Sequence, residues 1–172
     1  PIGPLGVYGK SKEQGEAAVR SSGAQHAIVR TAWLVNPTGS NFLTTMLRLG
    51  EDRDELRIVS DQLGCPTSVK DLAKAIILIA QQLGNKSGTW HFANSGSATW
   101  HELATHIFRQ VAARKRHIPI VTPITTSEYP TTAQRPANSM LSTAKIESDF
   151  GIHPRSWQLA VDSILTEILE PG

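Results

Sequence analysis

Cysteine is almost missing from this chain: Cys65 stands alone among 172 residues. An internal disulfide is thereby excluded, and a reducing, cytoplasmic setting is the expected one. A solitary cysteine is more often a small buried hydrophobe than a nucleophile, and nothing around Cys65 has the form of a reactive thiol site. Long apolar runs are also lacking. The longest, AIILIA at 75–80, falls far short of a bilayer's thickness, so neither a membrane span nor a secretory leader is expected. An excess of one charge is lacking too, with 17 basic against 15 acidic residues and a net charge of +2. Nucleic-acid binding therefore has little support. The one basic run, ARKRH at 113–117, falls at a helix end, where cations complement the helix dipole. His91 and His101 are too far apart, and without a carboxylate pattern, for a metal motif, so no metal is expected. Two further absences concern the beginning of the chain. It opens on Pro1 rather than methionine, and a G-x-G-x-x-G phosphate loop occurs nowhere in it.

What is present suits a folded domain, with 40% hydrophobic and 19% charged residues. Helix and strand signals alternate. GKSKEQGEAAVRSSG (9–23) predicts a helix closing at Gly23, and AIVRTAWLV (27–35) one buried strand. A helix follows over 40–50, then a strand over 56–60 and an irregular link, DQLGCPT (61–67). Ser68 with Asp71 forms a capping box that opens a helix. Its apolar stripe is Val69, Leu72, Ala73, Ile76, Ile79, Ala80 and Leu83. A strand is expected over 88–94. Thr99 with Glu102 opens a helix that buries Leu103, Ile107, Phe108 and Val111. An extended segment (118–124), an aperiodic loop (125–141) and two more helices (142–151, 156–169) complete the pattern. Strands of four to seven residues alternating with helices imply an α/β fold built on a parallel sheet.

The stretch PLGVYGKSKEQGE carries the clearest chemistry. Tyr8 and Lys12 are four apart on a helix and so share a face. A free tyrosine, with a pKa near ~10, is a poor acid–base group at neutral pH. An ammonium at about 4 Å, with an effective dielectric of roughly 20, favours the phenolate by on the order of 4 kcal/mol, an upper figure of about three pKa units. Lysine can at the same time hydrogen-bond sugar hydroxyls. Such a pair fits carbonyl/alcohol interconversion, with tyrosine exchanging the proton and a cofactor handling the hydride. The bare Y-x-x-x-K spacing also occurs as a plain aromatic–aliphatic helix contact, so its context decides.

That context is the following strand ending RTAWL, then SNFLTTMLRL, LRIVSDQLGCPTSVKDLA, GTWHFANSGSATWHELA and TTAQRPANSMLSTAKI. In this order they resemble the extended short-chain dehydrogenase/reductase family, and within it the dTDP-4-dehydrorhamnose reductases, over nearly the whole chain. The resemblance implies the C-terminal part of a Rossmann-like parallel sheet plus a small substrate-binding α/β subdomain. Residues 1–60 would be the remainder of the dinucleotide-binding domain. Residues 61–172 would be mainly the substrate-binding region, with the chain crossing back. It implies a reductase of dTDP-4-dehydro-L-rhamnose that uses NADPH or NADH and serves surface polysaccharide and lipopolysaccharide biosynthesis, with a homodimer one candidate assembly.

By the same resemblance Tyr8 gives a proton to the C4 carbonyl oxygen, and Lys12 holds the nicotinamide ribose. Trp33 would lie beside the sugar, or else be a packed aromatic at a strand end. Asn41 would bind the diphosphate or merely cap its helix. Gln62 and Thr67 would line the nucleotide pocket or serve the turn, and Arg135 would meet the diphosphate or solvent. Some relatives hold magnesium with carboxylates at a dimer contact. Lys70 stands at such an acidic position, so that metal is not carried over. The cofactor loop and a Ser or Thr that precede the tyrosine in the family are expected to lie in a part removed from this chain, leaving a piece inactive alone. Two alternatives stay open: a non-catalytic regulatory or scaffold member of the fold, and a nucleotide-sugar epimerase or dehydratase.

Overall fold

The computed structural model describes residue 3 and residues 6–114, 117–131 and 135–170; Pro1, Lys115 and Arg116 lie outside the described residues. In chain order the elements are α1 (Val7–Ser21), β1 (Ala27–Arg30), β2 (Leu34–Val35), α2 (Phe42–Asp52), β3 (Glu55–Val59), β4 (Leu63–Gly64) and β5 (Thr67–Ser68). They continue with α3 (Val69–Gln82), β6 (Gly88–His91), β7 (Ala98–Thr99), α4 (Trp100–Ala112), β8 (Ile120–Ile124), a 3₁₀ turn (Thr126–Glu128), α5 (Ala144–Phe150) and α6 (Trp157–Leu169). The strands pair as β1 with β6, β2 with β5 and β3 with β8, all parallel, and β4 with β7 antiparallel. Among the described residues no helix is long and apolar enough to cross a membrane.

Local chemistry sets most boundaries. The side chain of Ser68 accepts the Asp71 N–H at the start of α3. At α4 the capping box is complete, Thr99 accepting from Glu102 N and Glu102 accepting from Thr99 N. Gly151 ends α5 in the left-handed region at φ 63°, where a side chain would be strained.

Two apolar clusters form the interior. One packs β3 and helices α2, α4 and α6 around Leu43, Leu56, Leu103, Ile107, Val161 and Leu165. The other packs β6, α3 and α5 around Ala75, Ile79, Trp90, Phe92, Ile146 and Phe150. The chain passes between them repeatedly, so neither is one continuous stretch of sequence.

Three expectations need correction. The run 27–35 is not one buried strand. It breaks before Leu34, where Trp33 takes φ 49°, and no residue of β1 is fully buried. The expected stripe of α3 is rotated: Ala75 and Ile79 are buried, whereas Ala73, Ile76 and Ala80 face outward, Ile76 with 46% exposure. Ala75 and Ile79 are the residues of α3 that enter the cluster of Trp90, Phe92, Ile146 and Phe150. The link 61–67 is not wholly irregular, since it contributes both β4 and β5.

Candidate functional site

Helix α1 presents Tyr8 and Lys12 on one face. The Lys12 ammonium lies 5.4 Å from the centroid of the Tyr8 ring, within cation–π range. Both side chains are exposed, Tyr8 at 76%. No residue of α1 is buried, and its attachment to the sheet is polar. Arg30, at the end of β1, donates from Nε to Glu16 Oε1 (2.8 Å) and from Nη2 to Glu16 Oε2 (2.6 Å). Arg20 adds bonds to Glu16 and Glu13. The bond from Arg30 holds the Glu16 carboxyl below the usual carboxylate range, against an opposing effect of burial.

A cavity of about 840 Å³ opens between α2, β3 and the segment after β8. Its apolar wall includes Phe42, Met46, Leu56 and Trp100. Its polar rim carries Arg53, Arg57, Glu128, Tyr129 and Arg135. A volume of this size suits a ligand larger than a free sugar. Arg57 is paired with Glu128 at 2.9 Å.

The expected site residues fall into three groups. Tyr8 and Lys12 stand together but are not among the residues that line the cavity. Gln62 and Arg135 do line it. Trp33 reaches its wall indirectly, through a stack on Trp100 with centroids 3.5 Å and planes 7° apart. Asn41 is occupied at both ends of its amide: Oδ1 accepts from Leu43 N and Thr44 N, and Nδ2 donates to Asn36 O at 2.9 Å. Thr67 is fully buried, and its hydroxyl donates to Cys65 O. The histidines are spread out. His91 is half-buried, and burial, followed by the charge of Arg30, pushes its pKa down. His101 Nε2 lies 3.3 Å from Val121 O, and His106 pairs with Asp162 at 2.7 Å. The Lys70 ammonium pairs with Glu167 on α6 at 2.5 Å.

Sequence reasoning missed Trp100, Phe42, Tyr129 and Asp61. Trp100 carried a signal. It is a large aromatic in the first turn of α4, three, seven and eleven residues before Leu103, Ile107 and Val111, so it extends their apolar face to the end of the helix, where it packs against the same cluster.

The RmlD substrate-binding domain family model matches residues 1–170. The chain belongs to this family. Among curated members, the dTDP-4-dehydrorhamnose reductase of Aggregatibacter actinomycetemcomitans is 43% identical over 169 residues, which cover 95% of this chain and 58% of that protein. The crystal structure of the Bacillus anthracis dTDP-4-dehydrorhamnose reductase in complex with NADP is 34% identical with a TM-score of 0.89. The match covers 96% of this chain and 57% of that one. A second such reductase, from Clostridium acetobutylicum, has a TM-score of 0.90 at 36% identity, over 98% of this chain and 58% of that one. The chain thus spans rather less than three fifths of the length of these family members, and shares their Rossmann-like α/β architecture over that span.

Proposed function

We propose that the chain is the substrate-binding and proton-donating part of a cytoplasmic reductase that converts dTDP-4-dehydro-L-rhamnose into dTDP-L-rhamnose. The observation that carries this reading is the Tyr8–Lys12 pair, exposed on one face of α1, in a chain of this family. Both side chains are free to meet a dinucleotide on that face, and Lys12 keeps ammonium donors for ribose hydroxyls. When bound, NADPH or NADH supplies the hydride. Tyr8 gives its proton to the C4 carbonyl oxygen as negative charge develops there, and Lys12 stabilises the phenolate left behind. The cavity takes the nucleotide: its apolar wall accepts the base, and Arg135 accepts the diphosphate through charge-assisted bonds. Trp33 walls the sugar.

The test is Tyr8→Phe in the full reading frame that carries this chain. Turnover of the keto sugar should drop by about two to four orders of magnitude, the scale of a lost general acid, with little change in substrate affinity. Near-normal turnover would mean that another group supplies the proton.

A further inference from the structure

Trp33 is held in an arrangement that its own preferences oppose. Its φ of 49° is rare for a bulky residue, and such strain persists only where surroundings over-determine it. Its stack on Trp100 is nearly face to face, whereas ring quadrupoles favour offset or edge-on pairs. Something must fix both indoles, and the residues that do so are 61–64.

Trp33 lies against the backbone of Gly64 so closely that a Cβ there would sit 2.2 Å from the ring. Trp100 is fixed by a directed chain of hydrogen bonds. Its Nε1–H donates to Gln62 Oε1 at 3.2 Å, and Gln62 Nε2 donates to Thr126 Oγ1 at 3.0 Å. The Thr126 hydroxyl in turn donates to Asp61 Oδ1 at 2.6 Å. An indole can only donate, which fixes the orientation of the Gln62 amide, and every later bond points the same way until the chain ends on a carboxylate. Bonds aligned in this manner polarise one another. Asp61 is anchored further by the Thr126 backbone N–H at 2.9 Å. The neighbouring Leu63 binds the far end of the same segment, its N–H to Ala137 O and its carbonyl to Ser139 N, each at 2.8 Å.

We propose that Asp61, Gln62, Thr126 and Trp100 are positioning residues that set the plane of Trp33, and through it the presentation of the keto sugar to Tyr8. This rests on the reading of Trp33 as the wall of the sugar site. None of the four needs to touch the reacting atoms. Asp61 and Thr126 lie at the exposed end of the chain, while Trp100 carries its effect to Trp33.

Two variants at exposed positions test this without threatening the fold: Asp61→Ala and Thr126→Val, with Thr126→Ser as the conservative control. Two stacked indoles couple their electronic transitions and give an exciton couplet in circular dichroism, and Trp33→Phe identifies which part of the spectrum it is. In the full reading frame that carries this chain, Asp61→Ala and Thr126→Val should weaken the couplet and lower kcat on the keto sugar on the order of tenfold with KM little changed. That is the signature of misplacement rather than lost binding, since displacement by about 1 Å can cost up to ~100-fold. Thr126→Ser should restore both. An unchanged couplet in Thr126→Val overturns the inference, as does a weakened couplet with unaltered kcat. Failure of the underlying reading is seen separately, as normal turnover by Tyr8→Phe.

Discussion

Arg30 grips Glu16 with two parallel hydrogen bonds, joining the end of β1 to a helix that buries none of its own residues. Bidentate geometry fixes direction as well as distance, so the pair sets how α1 lies against the strand and where it holds Tyr8 and Lys12. The pair is part-buried and worth about 1 kcal/mol. Arg30→Met should therefore speed hydrogen exchange throughout residues 7–21 while leaving α4 and α6 unaffected. Because Glu16 titrates below its usual range, the attachment is complete above the ordinary carboxylate pKa. It is lost as pH falls through the lowered value. Wild-type exchange in α1 should accelerate in that acid window, and the Arg30→Met variant, which keeps only the Arg20 bond to Glu16, should show a smaller step.

The helix caps were legible in the sequence because they are local, although only Thr99 with Glu102 closes a full capping box; Ser68 caps α3 by itself, and the carboxylate of Asp71 accepts from Asn94 and Arg155 instead. The Tyr8–Lys12 face was legible for the same reason. The break at Trp33 was not, because Gly64 and Trp100, which hold the indole, are remote in sequence. Gln62 was singled out as a site residue, but its bond to Thr126 joins positions 64 apart, and no periodicity announces such a pairing. The rotation of α3 was hidden likewise. Ile76 is the larger hydrophobe, yet Ala75 and Ile79 are the residues of α3 that join the buried cluster of Trp90 and Phe92.

Arg135 lines the same cavity as Phe42 and Trp100. A charge-assisted hydrogen bond to phosphate contributes about 1.5–3 kcal/mol, so Arg135→Ala should weaken dTDP binding by roughly ten- to a hundredfold. Thymidine, which has no phosphate, should bind the variant and the wild type alike. Calorimetry with both ligands decides; equal weakening of the two would remove Arg135 from the diphosphate site.

Asp61 and Glu128 both titrate below their usual range. Asp61 is lowered first by the Thr126 side chain and Glu128 first by the Thr125 backbone N–H. Both bonds pin the 3₁₀ turn at the rim of the cavity, with Arg57 on the far side of Glu128. Their contribution is present above the ordinary carboxylate range and is lost as pH falls through the lowered values. The amides of Thr125 and Thr126 should lose protection in acid before those of α4 do. Simultaneous loss in a pH series followed by NMR would show that the turn has no acid response of its own.

Gly64 offers the sharpest steric test. A Cβ at this position would lie 2.2 Å from Cε2 and 2.5 Å from Nε1 of Trp33, well inside any real contact. The indole is confined on another side by Trp100 at 3.5 Å, and its backbone is tied to Thr67 N through a 2.9 Å hydrogen bond. Gly64 itself pairs with Ala98 across β4 and β7, so the strand cannot retreat without breaking that ladder. Gly64→Ala must therefore either swing the Trp33 ring out of its stack or push the two short strands apart. Overpacking of this kind costs about 1–3 kcal/mol, and the exciton couplet should shrink with it. Relieving the clash from the other side should recover most of the loss. The double variant Gly64→Ala with Trp33→Leu should be destabilised by clearly less than the sum of its two single changes, as residues in contact are. Urea midpoints for the four proteins measure this coupling, and strict additivity would show that the indole does not rest on Gly64.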